Sequence, residues 1–301
     1  MELTAALCPS VLLSETHFPY LARAGVMADA VARVAQEGFY RWVEIPRIAE
    51  KGDRRRIAEV VREKGLGLTV WMSSVLEGER LNLSSVDEEL RWRSAARMRE
   101  LAEEAAECGA GAIALLSGPD PGATLRPQAT EQLMKSLEEI CGATARLGTR
   151  VLVEPLDREA HKKHLLGPTA EFVALFRRLR GTHGNAAVSW DSAHVALCGE
   201  NIFESFEAAK DMIGGIHLAN AVLDREDKRF GDWHMEIGSP GFLTAEGIAE
   251  FFRRGIRSRV LRAEGPSVAV EIRTPASGDP WQTEQRGRRI LEEAWARFEK
   301  G

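Results

Sequence analysis

The sequence predicts an α/β fold, a single-domain (β/α)8 TIM barrel spanning residues 1–301. Three observations carry this expectation. Short apolar runs alternate with helical patterns along the chain, and strict βα alternation implies a parallel sheet. The units number eight, which closes naturally into a barrel whose strands are buried on both sides and read as short apolar runs. The first run ends Cys8-Pro-Ser-Val11, without the GxGxxG turn that a doubly wound open sheet would want. Barrels of roughly 250 residues are often one domain, so the chain length demands no second one.

Taken in order, the first strand is expected over residues 3–8, followed by an irregular loop over 10–24 and a helix over 27–36 that Gly38 ends. The second strand covers 40–45 and stops at Pro46. Asp53 is placed to cap a helix over 53–64, with Gly65 after its end. The third strand is 66–72. Ser85-Val-Asp-Glu88 has capping-box spacing and opens a long helix to about Glu107. The fourth strand is 112–116, and Ser117-Gly-Pro-Asp-Pro-Gly122 must be a loop. A helix over 128–147 leads to the fifth strand at 151–156. The second half repeats the rhythm: helix 169–180 capped by Thr169, strand 186–191, helix 202–212, strand 213–219, helix 244–254, strand 267–272 and helix 281–299.

Composition narrows the function classes. The net charge of −5 gives no electrostatic case for nucleic acid or an acidic membrane surface. Cys8, Cys108, Cys141 and Cys198 are scattered, form no CxxC pair and read as reduced thiols. No basic n-region opens the sequence, and no apolar run approaches the roughly 20 residues that span a bilayer. The expected location is cytoplasmic.

The chemistry concentrates between residues 151 and 273. Four strand candidates each end in an acid or a histidine: Val151-Leu-Val-Glu154, Ala187-Val-Ser-Trp-Asp191, Ile213-Gly-Gly-Ile-His217 and Val268-Ala-Val-Glu271. Barrel active sites lie at the C-terminal ends of the strands. One such residue reads equally well as half of a structural ion pair. Three carboxylates brought together repel unless a cation neutralises them. An oxygen-rich set with one imidazole suits a single divalent ion, Mn²⁺ or Mg²⁺ best, with Zn²⁺, Co²⁺ and Fe²⁺ compatible.

These strand ends, read as Val153-Glu154-Pro155, Trp190-Asp191-Ser-Ala-His194, Gly215-Ile-His217-Leu and Val270-Glu271-Ile, resemble the xylose isomerase-like TIM-barrel superfamily. Asp232-Trp-His234-Met-Glu-Ile-Gly238-Ser-Pro-Gly241 resembles its loop after the seventh strand. The resemblance covers essentially the whole barrel, and the metal motif is similar to that of the tagatose/psicose 3-epimerases. It implies that Glu154, Asp191, His217 and Glu271 hold the metal and that Glu154 and Glu271 also act as the acid/base pair. The implied reaction is isomerisation or epimerisation of a sugar or sugar derivative through a metal-stabilised enediolate. The implied partner is a small carbohydrate, with no nucleic acid and no membrane, and homo-oligomers are usual in the superfamily.

The same resemblance makes His194 a substrate contact, with a supporting role to the ligands as the bland alternative. Asp232 and His234 have similar standing. Arg273 shares a strand face with Glu271, so it either binds substrate or balances carboxylates. Arg158 and Glu159 follow strand five near the family's substrate-contacting segment. Trp71 and Trp233 fall near strand ends where a sugar could stack, although a barrel tryptophan is more often packing. Trp190 is read the same way. His17 and Phe18 could cap the substrate. Glu44 reads as a buried partner for an arginine. His161, His164 and His183, with the clusters Arg54–Arg56 and Arg177–Arg178, read as solvated.

The alternatives divide on chemistry. A lyase or dehydratase acting on a keto-sugar, an inosose-type keto-cyclitol or an oxidised glycoside shares the first proton abstraction, and the ligand set does not separate it from an epimerase. An endonuclease IV-like nuclease needs further histidines on strands three and four; these end Val70-Trp-Met-Ser73 and Leu115-Leu-Ser-Gly118, with none. A two-metal hydride-shift isomerase needs extra carboxylates where His217-Leu-Ala-Asn220 stands. A free sugar is favoured over a phosphorylated one, since only Gly238-Ser-Pro-Gly241 offers backbone donors.

Overall fold

A computed structural model describes residues 2–300. Eight parallel strands form a closed barrel: β1 (Cys8–Leu12), β2 (Trp42–Pro46), β3 (Gly67–Trp71), β4 (Ala112–Leu116), β5 (Arg150–Glu154), β6 (Ala186–Asp191), β7 (Ile213–Ala219) and β8 (Ser267–Glu271). Each strand pairs with its neighbours in the chain, and β8 closes on β1 through Cys8↔Ser267. Helices cover the outside in the expected order, at Val26–Glu37, Lys51–Lys64, Glu88–Glu107, Arg126–Ala145, Thr169–Arg180, Ile202–Ala209, Ala245–Arg257 and Pro280–Lys300. The chain is thus a single-domain (β/α)8 barrel.

Most expected elements coincide with the observed ones within a few residues. The exception is the start. Residues 3–6 form a helical turn, because Leu3, Ala6 and Leu7 recur at helical spacing and pack together into the main apolar cluster. The first strand begins only at Cys8 and takes in Ser10–Leu12, part of the expected loop over 10–24. Capping also differs. Asp87, not Ser85, caps its helix by accepting from Glu89 N, and Glu88 turns to Arg91 and Gln132. Asp53 accepts from Gly25 N instead of capping. Thr169 is the first helical residue, its hydroxyl engaged by Glu200 and Ser205. The expected helix 202–212 closes in a 3-10 turn at Lys210–Met212.

Alternation sorts the strand residues into two shells. One set packs outward against the helices, including Val43, Ile45, Val70, Ile113, Val153, Ile216 and Trp190. Trp190 stacks on Phe251 and meets Phe206 edge-on, so it is packing and not a substrate platform. The other set fills the barrel with small residues and a few large ones: Trp71, Ala112, Ala114 and Leu152 cluster separately, with Trp42 against them. Trp42 is hydrogen-bonded to Thr69 Oγ1 at 2.8 Å and fills the floor of the barrel. A Cβ on Gly67 would lie 1.8 Å from its indole, so β3 must begin with glycine. The interior set is the one that carries Glu154, Asp191, His217 and Glu271 at the opposite end. Parallel pairing aligns Asp191 with His217 across β6 and β7.

All four cysteines are free, and no helix among the described residues is long and apolar enough to cross a membrane. Arg54 is not solvated as expected. It is buried and donates to Ile48 O, Ala49 O and Glu107, tying two helices together.

Candidate metal centre and active site

Glu154, Asp191, His217 and Glu271 are all buried and offer four ligand atoms within 4.8 Å of one another. His217 Nδ1 lies 3.2 Å from Glu154 Oε1 and 3.3 Å from Glu271 Oε2. Asp191 explains the Asp-x-x-His spacing. It ends β6 and caps the helix Ser192–Leu197, with Oδ1 accepting from His194 N at 2.9 Å. Its Oδ2 is buried with no hydrogen-bond partner among the described residues. A buried carboxylate oxygen without a donor is costly, and a cation in the cluster would satisfy it. Among the described residues, no lysine or arginine forms an ion pair with any of the four. The donor set therefore fits one divalent ion.

Protonation follows the same demand for positive charge. Burial pushes the Asp191 carboxyl up to about 7. Burial opposes charge on His217, but Glu44 and Glu271 outweigh it and raise its pKa well above the usual histidine range. Burial likewise opposes ionisation of Glu271, yet His234 and His217 bring it down to about 2. His194 rises to about 9 because Asp191 and Asp157 overcome its desolvation.

Above the cluster is a cavity of about 210 Å³, lined by Trp71, His194, His217, His234, Glu154, Glu271 and Arg273 among others. His194 is aimed by Asp157, whose Oδ2 lies 3.2 Å from Nδ1. Asp157 is fully buried and also accepts from the backbone N–H groups of His161 and Lys162, so one carboxylate fixes both the histidine and the loop after β5. His234 Nδ1 meets Glu15 Oε2 at 2.7 Å and Glu271 Oε1 at 3.2 Å, and its Nε2 lies 3.1 Å from Asp232 Oδ2. His234 holds φ +50°, an uncommon conformation for a non-glycine residue, supported by Asp232 Oδ1 accepting from its backbone N–H. Glu15, His234 and Glu271 also fall within ligand range of one another, but the Arg273 guanidinium already holds Glu15, at 2.5 and 3.1 Å. Lys162 pairs with Asp232 at 3.1 Å. These cations supply the charge that a second ion would otherwise bring.

Some expected residues lie elsewhere. Arg158 is buried, but its guanidinium runs to Glu171 and Leu165 O, away from the cavity. Glu159 is exposed and lines a separate cleft with Arg158, Leu197 and Phe230. Trp233 is 56 % exposed, tilted against His161 and outside the cavity lining. His17 is buried edge-on against Trp281, while Phe18 does reach the cavity, with the Arg273 guanidinium 4.0 Å from its ring centroid. His164, read as solvated, lines the cavity too.

Glu44 is the main correction. Its partner is not an arginine. It sits inside the barrel and accepts from Ser10 and Trp71, with His217 as its third neighbour. Glu15, Asp157 and Lys162 also belong to the site, outside the motifs of the sequence. Only Asp157 carried a local signal, an acid three residues after Glu154 at the exit of an apolar strand.

The family model described as xylose isomerase-like TIM barrel matches residues 31–293. Among solved structures, the D-psicose 3-epimerase of Clostridium cellulolyticum H10, crystallised with D-tagatose, has TM-score 0.66 and 17% identity, covering 96% of each chain. The 3-keto-D-glucoside 4-epimerase of E. coli has TM-score 0.64 and 18% identity, covering 90% of this chain and 94% of that one. The IolI protein with a bound zinc atom has TM-score 0.71 and 11% identity, covering 97% and 99%. No curated protein sequence matches the chain. At these identities the structural likeness speaks for the fold.

Proposed function

Because this chain belongs to the xylose isomerase-like TIM-barrel family, we propose that it is a divalent-metal-dependent sugar isomerase or epimerase that moves a proton beside a carbonyl. The observation that carries the proposal is the convergence of Glu154 and Glu271 on His217, next to Asp191, under a cavity sized for a small molecule. The proposal treats residues 1–301 as one domain, with Mn²⁺ or Mg²⁺ as the ion. Glu154, Asp191, His217 and Glu271 are its ligands. Neighbours of this fold named as epimerases of psicose and of a 3-keto-glucoside, and one named with zinc, lend support by analogy.

When bound, the ion supplies electrostatic stabilisation to oxygen charge that develops as the proton leaves. The chain's own residues do the rest. One of the paired glutamates takes the proton from the carbon beside the carbonyl, and the other returns a proton to the opposite face or the adjacent carbon. Their origin on β5 and β8 lets them approach from two sides. His194, held through Nδ1 by Asp157 and with Nε2 3.8 Å from Asp232 Oδ2, lines the cavity and can donate to a sugar oxygen. His234 and Arg273 line the cavity as well, Asp232 holds His234 through Nε2, and Trp71 offers an apolar face. Arg158, Glu159 and Trp233 have no part in this scheme, since their side chains lie outside the cavity.

The cavity favours a free sugar. Its lysine and arginine side chains, Lys162 and Arg273, already have carboxylate partners in Asp232 and Glu15. A phosphate would have to break one of these pairs.

Incubating the metal-loaded protein with a panel of ketoses in D₂O tests the proposal. The expected result is deuterium at the carbon beside the carbonyl, accompanied by an epimer or an aldose. Release of water or an aglycone instead would identify a lyase, and no exchange with any ketose would remove the proton-transfer reading.

A further inference from the structure

Glu44 lies in the middle of β2, 2 % exposed, on the interior face of the barrel. Its Oε1 accepts from Ser10 Oγ at 3.0 Å, and its Oε2 accepts from Trp71 Nε1 at 2.8 Å. The same Oε2 lies 3.1 Å from His217 Nε2. An indole N–H can only donate, so Oε2 is an acceptor at this junction, and the proton toward His217 belongs to the imidazole. That leaves Nδ1 as the nitrogen facing Glu154 and Glu271. Ser10 and Trp71 come from the flanking strands β1 and β3, so three strands fix the carboxylate that fixes the ring.

We infer that Glu44 is a positioning residue for the metal centre: it holds the Nε2–H of His217 and so commits Nδ1 to the ion. The inference rests on the metal reading above. Its physical basis is that a carboxylate on the far nitrogen selects the tautomer, locks the ring plane and raises the basicity of the ligating nitrogen. A barrel interior otherwise filled with Ala112, Ala114 and Leu152 gives no packing reason for an acid at this point. Ser10 and Trp71 satisfy it, but two neutral donors do not by themselves offset the cost of burying a carboxylate. A ring whose Nε2 proton it accepts does.

Glu44→Leu tests this, because it keeps much of the side-chain volume and removes the acceptor facing Trp71 and His217. An amide at this position would not serve, since its oxygen can replace Oε2 while its NH₂ donates to Ser10 Oγ. Without an acceptor on Nε2, nothing selects the tautomer or the ring plane that presents Nδ1 to the ion. Calorimetric titration of metal-stripped protein with Mn²⁺ should show affinity weakened by about 10- to 100-fold in Glu44→Leu. In ¹⁵N-histidine NMR spectra of Zn²⁺-loaded protein, the wild type should show one imidazole metallated at Nδ1 with a slowly exchanging Nε2–H, and the variant should lose that signal. If Glu44→Leu does not fold, Glu44→Asp decides: it retracts the charge by one methylene and should also weaken Mn²⁺ binding. Mn²⁺ affinity within about threefold of wild type in a folded variant, with the Nε2–H signal retained, would overturn the inference alone. A wild type that binds no divalent ion would overturn it together with the metal reading.

Discussion

Glu154 and Glu271 approach the same ring atom of His217. Their carboxylates lie 3.2 and 3.3 Å from His217 Nδ1, although they come from β5 and β8. Two carboxylates this close to one point repel each other unless a positive charge sits between them. In the proposed function the pair holds a cation and faces one substrate.

The first consequence concerns turnover. Glu154→Gln and Glu271→Gln should each lower kcat by roughly 100- to 10,000-fold, the range expected for loss of a general acid or base. KM should move far less, provided the ion is kept saturating. Steady-state kinetics with a turned-over ketose reads both numbers, and wild-type kcat in either variant removes that residue from the acid/base role.

A second consequence is thermodynamic. An ion that binds only the folded chain stabilises it by about 2.7 kcal/mol at one hundred times its Kd. Mn²⁺ added to chelator-stripped protein should therefore raise Tm by several degrees. Asp191→Asn should abolish most of the rise, because it removes the orphaned Oδ2. Differential scanning calorimetry measures this, and a Tm indifferent to divalent ions would exclude the centre.

Arg158 gives a contrast between structure and substrate. Its guanidinium joins Leu165 O and Glu171 from a buried position. Arg158→Ala should cost about 1–3 kcal/mol in urea unfolding through lost packing and hydrogen bonds. KM should stay at the wild-type value. A raised KM without loss of stability would return Arg158 to the substrate site.

Acid sensitivity should come in part from His17. Burial against Trp281, together with the Arg33 cation, lowers its pKa from 6.5 to about 4, though Leu13 O and Asp279 oppose the shift. The folded chain thus holds fewer protons than the unfolded one between these values, so stability rises with pH across that window. The stabilisation is complete above 6.5 and is lost as pH falls toward 4, on the order of 3 kcal/mol in all. In His17→Gln the acid limb of stability against pH should be shallower by that amount. Parallel limbs for the two proteins would show that another group dominates.

What was legible in the sequence was whatever repeats locally. The βα alternation gave the barrel, and residues 112–116, 186–191 and 213–219 coincide with observed strands, because each run is apolar, short and bounded by turn residues. The four strand-end residues were legible for a related reason. A charge at the end of a buried strand stands out against its apolar neighbours, and closure of the barrel brings such ends together whatever the details. Glu15 and Lys162 had no such signature, and those of Glu44, an acid inside an apolar strand, and Asp157, an acid just past one, did not name a partner. Their roles depend on which residues from distant strands and loops meet inside the barrel: Glu44 faces a histidine 173 positions away, and Glu15 meets an arginine 258 positions away. Arg158 and Trp233 fail in the converse sense, since proximity to a strand end in sequence does not fix where a loop side chain points. Local pattern alone determined the scaffold and the ring of acids on it. Tertiary closure decided the partner of each acid, because hydrogen bonds and ion pairs act over a few ångströms of space and take no account of distance along the chain.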